Sequence, residues 1–181
     1  MLKACWDCLA GYDLISAQQR QGEDQYSVHM NGGSNAPPWP TFNAQNGRMF
    51  AVPTQLKEDD EIIIKGYMTD GMLDIALRPD GNQNNIVSQI NVVYPDNQPH
   101  DQIILRNVQN GNSNTTGEYK ATDYFTDTSF DVRFIITPNG IKVSIGESPL
   151  DSVPLEHNTE EIRFISVRGQ VKEMNFRFNA Y

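Results

Sequence analysis

The sequence predicts an all-β protein folded as a two-sheet antiparallel β-sandwich, and three observations carry that prediction. First, Phe130, Val132, Phe134 and Ile136 alternate with polar residues, and beyond Pro138-Asn139-Gly140 the alternation resumes at Ile141, Val143 and Ile145. Period-2 alternation puts the apolar set on one side of a pleat, and Asn-Gly suits a tight hairpin turn. Second, short alternating runs recur from Phe50 to the C-terminus with turn residues between them. Third, no long amphipathic helical pattern competes. A lone hairpin is marginal in water, so these runs need one another and a second layer over their apolar faces.

In chain order, residues 1–49 differ in texture and read as an N-terminal extension or linker packing on a main domain of residues 50–181. Leu14 to Gln25 suits a short helix and Tyr26 to Met30 a strand, while Asn31 to Pro40 is rich in turn and breaker residues. Trp39 among those prolines reads as a surface anchor. The strands expected next are Glu61–Gly66, Met72–Arg78, Ile86–Tyr94, Gln102–Asn107, Glu118–Thr122, Phe130–Ile136, Ile141–Ile145, Ile162–Arg168 and Val171–Asn179. Glu58-Asp59-Asp60-Glu61 reads as a solvated turn, and Asn110 to Thr116 as a polar loop.

At 181 residues the chain can bury roughly 70% of its unfolded surface without disulfide staples. A net charge of −9 disfavours nucleic acid, which attracts clustered Lys and Arg. No apolar run reaches the roughly 18 residues of a membrane span, so no membrane insertion is expected. No basic region followed by an apolar stretch marks a signal peptide, so a cytoplasmic-type compartment is the default expectation. Cys5 and Cys8 form a lone CxxC without the further ligands a zinc site needs. They read as free thiols, and no metal or cofactor is expected.

The order of these pieces resembles the galectin family. In that family a Pro-containing entry leads to a strand ending in Gly, a strand of FxINL type, two glycan-contacting strands, a WGxEER segment, an NG hairpin and a closing strand pair around a Gly. Here Val52-Pro53, Ile62 to Gly66, Met72 to Leu77, Ile104 to Asn107, Phe130 to Ile145 and Ile162 to Phe178 fall in that order. The resemblance implies a jelly-roll sandwich over residues 50–181 that recognises glycans without catalysis. It also allows export without a signal peptide.

The family reads β-galactosides through an H-x-N-x-R strand, an Asn on the next strand, a stacking Trp and a following Glu and Arg. Sugar hydroxyls take charge-assisted hydrogen bonds, and the apolar sugar face takes an aromatic plate. With Ile90, Val92 and Tyr94 inward, Asn91, Val93, Pro95 and Asn97 face out, and the family's His, Asn and Arg fall on Val93, Pro95 and Asn97. A second register on Leu77 to Asn82 would use Arg78, Asp80 and Asn82. Asn107 matches the family's Asn. Near Thr116 to Ala121 the Gly is kept as Gly117, Thr116 stands for the Trp, and Lys120 and Ala121 stand for the terminal Glu and Arg.

The candidate carbohydrate contacts are therefore Asn91, Val93, Asn97, Asn107, Glu118 and Lys120, with Lys120 suited to an acidic or sulfated sugar. Each charge-assisted hydrogen bond missing from the family pattern is worth about 1.5–3 kcal/mol, so altered or weakened galactoside recognition is expected. The expected partner is a glycan or glycoprotein. The alternative is a protein-interaction or self-association module, favoured by Val93 and Pro95 at positions where a lectin wants polar groups. A homodimer would form most cheaply by pairing the closing strands, an edge that the N-terminal extension could equally cover.

Asp80-x-Asn82-x-Asn84 has calcium-loop spacing, but Asn85 and Asn91 stand where an EF-hand needs Gly and Glu, so it reads as a turn. Asn114-Thr115-Thr116 is a glycosylation sequon, relevant only in the secretory pathway. Asp74, Asp96, Glu118 and Asp131 are too scattered to read as a hydrolase pair. His29, His100 and His157 lack triad partners. No enzyme chemistry is expected.

Overall fold

The computed structural model describes residues 23–29, 48–82, 85–96, 98–109, 112–155 and 159–179. Twelve strands run in order: β1 Glu23–His29, β2 Arg48–Ala51, β3 Glu61–Tyr67, β4 Met72–Arg78, β5 Ser88–Val93, β6 Gln102–Gln109, β7 Asn112–Tyr119, β8 Ser129–Thr137, β9 Gly140–Ile145, β10 Ser148–Pro154, β11 Phe164–Arg168 and β12 Gln170–Asn179. They form two six-stranded antiparallel sheets. The back sheet is ordered β1-β12-β3-β8-β9-β10 and the front sheet β2-β11-β4-β5-β6-β7. The expected all-β sandwich is what forms.

Alternation builds the core. Val132, Phe134 and Ile136 of β8 and Ile62 and Ile64 of β3 meet Leu73, Ile75 and Leu77 of β4, Ile90 and Val92 of β5, and Ile103 and Leu105 of β6, all buried in one cluster. The β8–β9 hairpin pairs Thr137 with Gly140, so its two loop residues are Pro138 and Asn139. Gly140 carries the positive φ, +156°, and a Cβ there would sit 2.2 Å from the Val153 carbonyl oxygen of β10. The glycine thus serves close strand packing as well as the turn.

Four segments depart from expectation. Asn112 to Thr116, expected as a loop, belong to β7, while the expected strand Glu118–Thr122 holds only at Glu118 and Tyr119, because Ala121 and Thr122 lie in a 3-10 turn, Ala121–Asp123. β7 is an edge strand whose side chains are mostly exposed, so its sequence needs no apolar alternation. β10 has two prolines and a register shift between Pro149 and Ser152. That irregularity lets Leu150 and Val153, three apart, both reach the core, which breaks the period-2 signal. At the N-terminal side, Glu23–Gln25 belong to β1, paired antiparallel with β12, rather than to a helix end. The sandwich therefore draws one back-sheet strand from the expected extension. Residues 14–22 of the expected helix, Cys5, Cys8, Trp39, the rest of Asn31 to Pro40, and His157 lie outside the described residues.

The outer edges are joined by polar contacts. The Asp151 N–H donates to the Tyr119 hydroxyl at 2.8 Å, and Asn107 Nδ2 donates to the Pro154 carbonyl at 2.7 Å, tying β10 to β7 and β6. Burial, reinforced by Asp151, pushes the Tyr119 hydroxyl up to about 12.

Candidate glycan-binding face

Register decides which side chains leave the core. With Leu73, Ile75 and Leu77 inward, Asp74, Ala76 and Arg78 face out from β4. Cross-strand partners share a face, so the outward rows follow directly. One row runs Arg168–Asp74–Asn91–Ile104–Glu118 across β11, β4, β5, β6 and β7, and the next runs Met49–Ser166–Ala76–Gln89–Arg106–Thr115 from β2 to β7.

Asp74 is the centre of this face. Gln89 Nε2 and Asn91 Nδ2 both donate to its Oδ2, at 2.5 and 3.3 Å; among the described residues no hydrogen-bond donor engages Oδ1. Burial raises the Asp74 pKa, against the lowering effect of the Asn91 and Gln89 hydrogen bonds and of the nearby Arg78 and Arg168 charges. A partly desolvated carboxylate with one unengaged oxygen beside two oriented amides is an acceptor-and-donor set suited to vicinal hydroxyls.

Arg78 is buried and committed to structure. Its Nε donates to Ser166 Oγ at 2.7 Å and its Nη1 to the carbonyls of Asn82 and Asn85 at 3.4 and 3.3 Å. Asp80 folds the same loop by accepting from the Asn82 N–H at 2.8 Å and Asn85 Nδ2 at 2.7 Å. This motif is the strand-connecting turn expected of it; Asn84 lies outside the described residues. The alternative register on Arg78, Asp80 and Asn82 thus meets an arginine and an aspartate already occupied in holding a loop.

The candidate contacts divide. Asn91, Val93 and Glu118 stand on the outward face as expected; Val93 is half-buried and Glu118 exposed. Asn107 is corrected. It is 2% exposed on the core side, paired with the equally buried Ser88 and bonded to Pro154. The outward residues of β6 are Ile104 and Arg106, because Ile103 and Leu105 fill the core. A one-residue slip exchanges faces. Lys120 is exposed beyond the end of β7, 3.7 Å from Asp101, so its charge is shared with a neighbour. Asn97 lies outside the described residues.

The register shift between Leu105 and Arg106 sets Thr115 opposite Arg106 and Glu118 opposite Ile104. Thr115, rather than Thr116, therefore takes the outward position before Glu118. Thr116 Oγ1 is buried without a hydrogen-bond partner. Among the described outward residues of β4 to β7 none is aromatic; Met72, Val93 and Ile104 supply the apolar surface there. An open depression lined by His100, Asp101, Gln102, Glu118, Tyr119 and Lys120 continues the face at one end. Within it, Asp101 is held below the usual carboxylate range: burial pushes it up, but hydrogen bonds from Thr122 and the Lys120 charge outweigh that.

Asp74, Gln89, Arg106 and Arg168 are missing from the sequence-derived contacts. The signal that finds them is parity: Leu73 and Ile75 on either side of Asp74, and the inward pair Ile103 and Leu105 ahead of Arg106, send both outward. Among the described residues no group of three His, Cys, Asp or Glu side chains could hold a metal ion.

A jelly-roll sandwich with an open polar face on one sheet defines a lectin-type scaffold. The family model for galactoside-binding lectins matches residues 48–176, and the chain belongs to that family. Sequence comparison with curated proteins gives no match. Among solved structures, a glycerol complex of sheep galectin-11 superposes with a TM-score of 0.58 at 14% identity, covering 72% of this chain and 97% of that one. A point variant of human galectin-16 gives 0.57 at 17% identity, with 74% and 96% covered. Galectin LEC-6 of Caenorhabditis elegans gives 0.57 at 13% identity, with 75% and 93% covered. At such identities these structures establish the fold.

Proposed function

We propose that the protein is a non-catalytic carbohydrate-binding module whose front face recognises glycans with a contact set different from that of β-galactoside readers. The observation that carries this reading is Asp74 with its two oriented amides, Gln89 and Asn91, at the centre of the outward face. Glu118 and Arg106 flank it, and Val93 and Ile104 offer apolar surface to a sugar ring. With Thr115 where a plate would stack, affinity rests on hydrogen bonds, so binding is weaker than with an aromatic plate of substantial buried area.

A glycan array with the intact protein at near-physiological salt tests this. Selective retention of one glycan class is expected; silence across lactose, N-acetyllactosamine, sulfated and non-galactose glycans would overturn the reading. The half-exposed strip Met72, Val93 and Ile104 favours a second reading, protein interaction or self-association through the same face. Sedimentation would then show a dimer or a partner complex.

A further inference from the structure

We infer that the glycan taken by this face carries an anionic substituent, a sulfate ester or a carboxylate, and that Arg106 receives it. The inference rests on the carbohydrate-binding reading above and names the ligand class for the same face. The charges of the front face are unequally committed. Arg78 is fixed by Ser166 and the Asn82–Asn85 loop, and Lys120 stands beside Asp101. Among the described residues, none makes a hydrogen bond or ion pair with the Arg106 side chain. Its cross-strand partners are Gln89 and Thr115, both neutral, and Glu118 on the next row forms no ion pair with it.

A guanidinium without a counter-ion is a ready partner for an anionic group on a ligand. Its planar fork matches the paired oxygens of a sulfate or carboxylate. A second guanidinium, Arg168, is the cross-strand neighbour of Asp74 and lies three strands from Arg106 on the far side of that carboxylate, roughly 14 Å across the sheet at the usual strand spacing. Asp74, Gln89 and Asn91 lie between the two, so hydroxyl-binding groups separate two cationic ends. That order suits an oligosaccharide with its neutral ring over Asp74 and its anionic group at Arg106. The protein's net charge of −9 makes general attraction of polyanions unfavourable, so binding of an anionic sugar would have to be local to this face.

The test is calorimetric titration of the intact chain with three matched oligosaccharides sharing one core: neutral, sulfated and carboxylated. The expected result is about tenfold or tighter binding of at least one anionic form over the neutral one at 150 mM salt. The arms distinguish sulfate from carboxylate. In Arg106→Ala the ratio of anionic to neutral affinity should fall to about one, and Arg106→Lys should recover part of it; unchanged thermal melts verify that both variants fold. Equal affinity for all three sugars, or a preference surviving Arg106→Ala, would overturn the anionic inference and leave the carbohydrate-binding reading standing. No binding of any form, together with a silent array, would overturn both.

Discussion

The two outward faces of the sandwich carry similar residue types in opposite arrangements. On the back sheet, charges are matched with their direct cross-strand partners: Lys65 with Asp131 at 3.1 Å, and Glu61 with Arg177 at 3.2 Å. Asn175, also on that face, donates to Glu173 at 2.5 Å. On the front sheet, Asp74 lies between Arg168 and Asn91 yet takes its hydrogen bonds from amides, and Arg106 lies between Gln89 and Thr115, so among the described residues neither charge closes an ion pair. Direct pairing satisfies a surface within the chain. Pairing charges with amides leaves hydrogen-bonding capacity for something else, which is why the front face is read as the site.

The largest effect that would sharpen this contrast is on binding. Asp74→Ala should weaken glycan binding tenfold or more, about 1.5–3 kcal/mol for a lost charge-assisted hydrogen bond, as measured by titration. Asn107→Ala separates the faces from the interior: it should cost about 1–3 kcal/mol of stability in denaturant melts, since it strands the Pro154 carbonyl, while glycan affinity stays unchanged. If affinity fell and stability held, Asn107 would be a ligand contact after all.

Asp74 also makes a pH prediction. Its folded pKa is raised, chiefly by burial, so its contribution favours the fold at acid pH and is lost as pH rises through the folded value. Asp74→Asn should therefore melt higher than wild type at pH 7. The gap should close as pH falls below the ordinary aspartate value of about 3.9, followed by melts across pH 3 to 8. The smallest effect belongs to the back sheet. Lys65→Ala breaks an exposed ion pair and should change stability by about 0–1 kcal/mol, with no change in glycan binding.

Much of this fold was legible because most strands bury one face. Phe134 and Ile136 or Ile90 and Val92 announce their strands by alternation alone. β7 and β10 were not legible, because an edge strand such as Asn112–Tyr119 needs little apolar content and the irregular Ser148–Pro154 breaks the period. The site divided for the same reason. Asn91 and Val93 could be assigned outward from their neighbours, whereas Glu118 and Asn107 were assigned by their match to motifs, and only Glu118 proved outward. Ile103 and Leu105, both buried, turn Asn107 inward and Arg106 outward. Parity read along β6 carries more physical information than residue identity at one position.

The most direct test of the central claim is an amide-resolved NMR titration of the intact protein with the best glycan from the array. Shifts should concentrate on β4 to β7, at Asp74, Gln89, Asn91, Arg106 and Glu118, with Lys65, Asp131 and Asn175 unmoved. Shifts centred on the back sheet, or saturable binding that leaves the Asp74 row untouched, would contradict it.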